Sequence, residues 1–260
     1  MIEDPSNRLI CVGTHHKTGT HWMKKVFRQI GRHLDIPTSQ IARAKVLERI
    51  PSDSPVILFN WASIFPQKLL DDERARFLHI IRDPRDVLMS GMRYHQTTKR
   101  KFEKFLYTPQ DRLDGRSYQE HLQFLPSDLE RYQFEMSEMH QTTLSQMLNW
   151  DDTNPRAMTV KYEDLIHDTD CRIFQTFLEF ADFPAEKIEA AKKIYWKNSL
   201  FGGLNPDLND IKDQHIQSGI ARRWEKEFTP ELAQLYFDKY ADDLITLGYE
   251  NDKTWIKRFI

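Results

Sequence analysis

What this chain lacks removes several classes of function. Two cysteines, Cys11 and Cys171, stand in 260 residues, too few to suggest a disulfide framework. Cys11 falls in an apolar strand and reads as a core side chain. No apolar run approaches the roughly 20 residues that span a bilayer, so stable membrane insertion is not expected. The first residues, Met-Ile-Glu-Asp-Pro-Ser-Asn, carry no basic region followed by an apolar stretch, so no signal peptide is read. The net charge is only −2, and no global field draws nucleic acid. Repeats, low-complexity tracts and strong linkers are absent. The expectation is one soluble, cytoplasmic domain over residues 1–260. Its 12 prolines, 6 tryptophans and 16 phenylalanines favour order over disorder.

What is present begins at Leu9. Leu9 to Val12 form a short apolar run that suits a buried strand. Gly13 and Gly19 follow, with Lys17 between them. Trp22, Val26 and Phe27 then recur at helical spacing over a helix predicted for 20–33. Strand, tight polar loop and helix aim backbone N–H groups at one point, and the helix N-terminus adds partial positive charge. Lys17 adds a full one. The stretch suits an anion, a phosphate above all. The same residues would also make an ordinary turn with an N-cap. The nucleotide-binding loop that ends in Gly-Lys-Ser/Thr does not fit. Five residues separate the glycines here, Lys17 precedes the second glycine by two, and Thr20 stands where that lysine belongs. ATP hydrolysis is therefore disfavoured.

Further along, the spacing predicts a weak helical stripe over 38–50 through Ile41, Val46, Leu47 and Ile50. Strands are predicted over 56–60, 76–81 and 157–161. Arg82-Asp83-Pro84-Arg85-Asp86 follows the third of these candidates in chain order, counting that at Leu9. Asp83 suits an N-cap and Pro84 the first position of a helix running to about His95. Arg82 suits either an anion or an ion pair with Asp83 or Asp86. Residues 96–116 mix Lys99, Arg100, Lys101, Lys104 and Arg112 with Phe102, Phe105 and Tyr107, and read equally as a lid or a solvated loop. Residues 117–150 are largely helical. Helices follow around Phe174–Ala181, after Pro184, and over 230–247. Alternating strands and helices predict an α/β fold, a parallel sheet flanked by helices, with ligands at the strands' C-terminal ends.

His15, His16 and His21 are too few and too poorly spaced for a metal set, and none is expected. No Gly-x-Ser-x-Gly elbow anchors a hydrolase. No RNA- or DNA-binding signature is visible.

Lys17-Thr18-Gly19-Thr20-His21-Trp22 resembles the 5′-phosphosulfate loop of cytosolic-type sulfotransferases, with His21 as the one departure. Arg82, Pro84, Arg85, Asp86 and Ser90 resemble that family's 3′-phosphate motif. Tyr162-Glu163-Asp164-Leu165 resembles a further marker. Gly219, Trp224 and Phe228-Thr229 resemble the segment that closes over the nucleotide. The resemblance spans residues 9–229. It implies a P-loop, nucleotide-kinase-like sulfotransferase fold and transfer of a sulfuryl group from 3′-phosphoadenosine 5′-phosphosulfate (PAPS) to an acceptor hydroxyl or amine, with no metal. Lys17 would contact the leaving phosphate and the transferring group. Thr18, Gly19, Thr20 and His21 would cradle the 5′-phosphate, Trp22 would pack on the adenine, and Arg82 and Ser90 would hold the 3′-phosphate.

Three departures from the family pattern stand out. Gln217 and Ser218 replace the basic residues before Gly219, and Arg222, in the place of a family glycine, is the preferred substitute charge. Ser199-Leu200-Phe201 replaces Ser-Phe, leaving Phe201 as the adenine-side candidate. Ile64 occupies the place of the usual catalytic histidine. His95, His16, His21 and Glu163 are the candidate bases. The acceptor class stays open among small molecules, lipids and carbohydrates, with Trp61, Phe65, Tyr94, Phe102, Phe105 and Tyr107 as candidate pocket or packing residues. Self-association is also open. A nucleotide-binding scaffold of the same fold and a phosphotransferase are the competing readings.

Overall fold

The computed structural model describes residues 7–41, 54–101, 103–203 and 221–260. In chain order the elements are β1 (Leu9–Gly13), α1 (Thr20–His33), β2 (Thr38–Gln40), β3 (Val56–Asn60), α2 (Gln67–Leu70), β4 (Ala75–Ile81), α3 (Pro84–Thr97), α4 (Tyr118–Phe124), α5 (Asp128–Ser137), α6 (Met139–Leu148), β5 (Ala157–Lys161), α7 (Tyr162–Leu165), α8 (Arg172–Phe180), α9 (Ala185–Lys197), α10 (Trp224–Glu227) and α11 (Pro230–Thr246). They fall into two compact units. One comprises Met1–Arg82 with Asn149–Asp210, the other Asp83–Leu148 with Ile211–Ile260.

The first unit holds a five-stranded sheet in the order β2-β3-β1-β4-β5. Every pairing is parallel, as α/β alternation requires. The strands alternate strictly. Ile10, Val12, Ile57, Phe59, Leu78 and Ile80 pack with Met23, Val26, Phe27 and Ile30 of α1 and with Phe174, Phe177 and Leu178 of α8. Leu9, Cys11, Leu58 and Phe77 face the other way, with Phe65, Leu69 and Trp150. Both faces are thus covered. The chain builds β3 on one side of β1 and β4 on the other, so the end of β1 lies at a topological switch point.

One expectation fails within the described residues. Thr38–Gln40 is a strand rather than the start of a helical stripe, and it pairs with Ile57–Phe59. Val46, Leu47 and Ile50 lie outside the described residues. Three helices, α4 to α6, divide the helical stretch at 117–150, and Ser117 and Ser127 each close a capping box at the start of α4 and α5. Residues 103–116 contain two short 3-10 turns that bury Leu106 and Leu113. The Tyr107 hydroxyl donates to the Thr98 carbonyl. Phe102 lies outside the described residues.

Candidate functional site

The turn from β1 into α1 is held by its own hydroxyls. His15 is the hub. Its N–H donates to Thr18 Oγ1 at 2.8 Å, and its carbonyl accepts from Thr18 N at 3.2 Å and from Thr20 Oγ1 at 2.8 Å. Thr14 and Thr20 hydroxyls lie 2.9 Å apart. With Thr20 donating to His15, Thr14 supplies the proton between them. These bonds turn the backbone through the left-handed region at Lys17 (φ 66°) and Gly19 (φ 95°). Gly19 has a second constraint, because a Cβ there would lie 3.0 Å from the Tyr162 ring. No side chain caps α1, and its first turn holds no acid. Neither a capping side chain nor a first-turn acid therefore offsets the positive end of this helix.

Arg82, at the end of β4, closes onto this loop. Its Nη1 donates to the Lys17 carbonyl at 3.1 Å, and its guanidinium lies 4.6 Å over the Tyr162 ring. Tyr162 thereby joins the loop glycine to Arg82, a physical reason for an aromatic residue just after β5. Trp22 stacks on Tyr195 with ring centroids 5.5 Å apart, and Phe201 meets Tyr195 edge-on at 5.9 Å. Lys17 and His16 are half-buried, and His21 is exposed on the first turn of α1. Glu163 follows Tyr162 on α7 and is half-buried.

The residue in the family histidine's place is pinned by Asn60. Its Oδ1 accepts from Ala62 N and Ile64 N, and its Nδ2 donates to the Ile64 carbonyl. The Ile64 side chain is 64% exposed. Trp61 stacks on Phe59 at 5.2 Å and lies under Lys24. Loss of solvation, with Arg28 nearby, lowers the Lys24 pKa.

In the second unit, Asp83 caps α3 with Pro84 at its first position. Asp86 is buried and accepts from the backbone N–H groups of Arg222 and Trp224. Arg222 adopts φ 58° with its side chain 72% exposed. Arg85 lies 3.4 Å from the centroid of the Trp224 ring and pairs with Asp83 at 2.8 Å and Glu250 at 2.6 Å. Ser90 is half-buried on α3. His95 is fully buried, its Nδ1 2.9 Å from Glu135 Oε2, which also accepts from the Tyr118 hydroxyl. Tyr94 is buried, and Phe105 packs edge-on against His95. Gly219, Gln217 and Ser218 lie outside the described residues. No group of three or more His, Cys, Asp or Glu side chains among the described residues is placed to hold a metal ion. No described helix is long and apolar enough to cross a membrane.

Sequence reasoning passed over His15 as a loop hub, and over His79 and Tyr162 as its supports. A lone histidine in the apolar run Arg76–Ile81 was the available signal for His79.

A family model for the sulfotransferase domain matches residues 7–248. No curated protein matches the sequence. Among solved structures, a mouse sulfotransferase complexed with PAP is similar at TM-score 0.58 and 16% identity, over 91% of this chain and 84% of that one. A retinol dehydratase in complex with androsterone and inactive cofactor PAP is similar at TM-score 0.51 and 14% identity, over 94% and 82%. At these identities the two structures speak for the fold.

Proposed function

The chain belongs to the sulfotransferase domain family, and on that footing we propose that it transfers a sulfuryl group from PAPS to an acceptor hydroxyl or amine. The observation that carries the donor assignment is the loop itself. Lys17 and Gly19 turn left-handed into an uncapped helix, and Arg82 holds the Lys17 carbonyl. Such a loop suits the 5′-phosphate. Lys17 supplies charge where the bridging oxygen becomes anionic. The acceptor atom bonds to sulfur as the bridging S–O bond breaks. The electron pair of that bond stays on the 5′-phosphate, and the acceptor's proton leaves to a base. The product is PAP.

Thr18 to His21 cradle the 5′-phosphate in this reading, and the Trp22–Tyr195–Phe201 group offers its aromatic surface to the adenine. For the 3′-phosphate this reading keeps Arg82, Ser90 and Arg222 as its candidate side chains. His21 and His16, next to Lys17 in the chain, and Glu163 are candidate bases. His95 reaches solvent only if its Glu135 and Tyr118 packing opens. Exposed Ile64 and half-buried Trp61 favour an acceptor with an apolar body, whether small molecule, lipid or carbohydrate derivative.

Calorimetry with PAP and AMP tests the donor assignment. One charge-assisted hydrogen bond to the 3′-phosphate is worth about 1.5–3 kcal/mol, so PAP binds at least about tenfold more tightly than AMP. Equal affinities would overturn the roles of Arg82 and Ser90.

A further inference from the structure

His79 interrupts the apolar run of β4. The sheet register sets it beside Gly13 of β1 and Thr159 of β5. It is 1% exposed and stacks on Trp150 with centroids 4.5 Å apart. Both ring nitrogens are engaged. Nε2 lies 2.7 Å from His15 Nε2, and Nδ1 lies 3.1 Å from Thr159 Oγ1. Thr159 Oγ1 in turn lies 2.6 Å from Asp152 Oδ1.

The partners fix the direction of every proton. Asp152 is exposed, and a carboxylate only accepts. The single hydroxyl proton of Thr159 is therefore spent on Asp152. Thr159 Oγ1 must then accept from His79 Nδ1–H. Burial, with His15 alongside, pushes the His79 pKa down to about 2, so the ring carries one proton only. Its Nε2 offers a lone pair, and His15 Nε2–H donates to it. All three bonds then point outward from the loop to the surface. The opposite tautomer of His15 would set two lone pairs against each other at 2.7 Å. Relief of that repulsion would move the ring and, with it, the backbone on which Thr18 and Thr20 hang.

We propose that Asp152, Thr159 and His79 form a hydrogen-bonded relay that holds His15 as its Nε2–H tautomer and thereby positions the Thr14–Thr20 loop for the nucleotide. His15 and His79 are positioning residues, and the nucleotide part of the statement rests on the donor assignment above. The relay runs from the loop after β1 across β4 and β5, where the register sets Gly13, His79 and Thr159 side by side.

The test uses the whole chain with Thr159→Val, which keeps the branched shape on an exposed edge-strand position, and Thr159→Ser, which keeps the hydroxyl. Long-range nitrogen–proton spectra of the nucleotide-free protein read the tautomers, and amide shifts read the loop. The expected result is His79 protonated at Nδ1 and His15 at Nε2. Thr159→Val removes that preference, shifts the amides of Lys17 to Thr20, and weakens PAP binding about three- to tenfold, the worth of one hydrogen bond. Thr159→Ser behaves as the native chain. A native His15 protonated at Nδ1, or a Thr159→Val chain with native tautomers, loop amides and affinity, overturns the relay. If the native chain fails to bind PAP while tautomers and amides respond as stated, the relay stands and the donor assignment falls. Tight native PAP binding with unmoved tautomers does the reverse.

Discussion

Two strand-to-helix junctions carry the family motifs, and they are built on opposite principles. Between β1 and α1 the helix start has no side-chain cap and no acid in its first turn. Between β4 and α3 the helix start is filled. Asp83 accepts from Arg85 N, Pro84 removes a donor, and Asp86 adds a buried carboxylate. A helix N-terminus stabilises one set of negative charges. At α3 that set belongs to the protein, and Asp86 spends it on the N–H groups of Arg222 and Trp224. At α1 no capping side chain or first-turn acid takes that place, and in the proposed function the 5′-phosphate does. The proposed two-phosphate assignment accordingly names side chains, Arg82 and Ser90, rather than a helix end as the candidates for the second anion.

The sharpest way to break this contrast is to remove one cation from each junction. Arg85→Ala takes the guanidinium away from the Asp83 and Glu250 carboxylates and from the Trp224 ring. Breaking a buried pair costs about 3–5 kcal/mol, so denaturant unfolding shows a large loss of stability. Lys17→Ala does the opposite. The fold persists by circular dichroism, while sulfuryl transfer from PAPS falls about 100-fold or more, the usual scale for one transition-state donor. Normal turnover in Lys17→Ala, or native stability in Arg85→Ala, would erase the distinction.

Much of this contrast was legible in the sequence. Asp83-Pro84 announces a capped helix, and the misplaced Lys17 announces a loop unlike that of ATPases. Strand β2 was not legible. Thr38-Ser39-Gln40 is short and polar, with no apolar alternation, and it exists because β3 offers an open edge. The pairing of His95 with Glu135 joins residues 40 apart in sequence. The His15–His79 contact depends on strand register, which local pattern does not encode. Arg222 matched a family glycine by position, but its left-handed backbone became visible only in the fold.

Acid sharpens the contrast from another side, because each unit buries a neutral histidine. His79 supports the first junction. His140 lies on α6, which packs against α3, and its Nε2 is 3.1 Å from the Tyr236 hydroxyl. Burial, with His15 and Lys239 respectively adding repulsion, lowers their pKa values to about 2 and about 3. An unfolded histidine takes a proton below about pH 6.5, whereas these folded ones do not. Their stability contribution is thus present above pH 6.5 and is lost as the pH falls from there towards 3 and 2. Each costs about 1.4 kcal/mol per pH unit in that window. Urea titrations at pH 7 and 5.5 read the loss. His79→Gln and His140→Gln should each reduce it by about 1.4 kcal/mol per pH unit below pH 6.5. Retention of the full loss in either variant would show that histidine is not buried neutral.

The smallest effect separates strain from function. Two cations, Lys17 at φ 66° and Arg222 at φ 58°, occupy backbone that favours glycine. In Arg222→Gly, relief of roughly 1–2 kcal/mol of left-handed strain is set against the greater unfolded-state freedom of glycine, about 0.4–1 kcal/mol. The net gain is about 0.5 kcal/mol, a rise of roughly 1–2 °C in Tm for a chain of this size. If Arg222 supplies the charge missing at Gln217 and Ser218, PAP affinity should fall in the same variant while AMP affinity holds. Arg222→Lys keeps both charge and strain, so it should retain PAP binding without the gain in Tm. A variant that gains stability and keeps its PAP affinity would assign the 3′-phosphate to Arg82 and Ser90 alone.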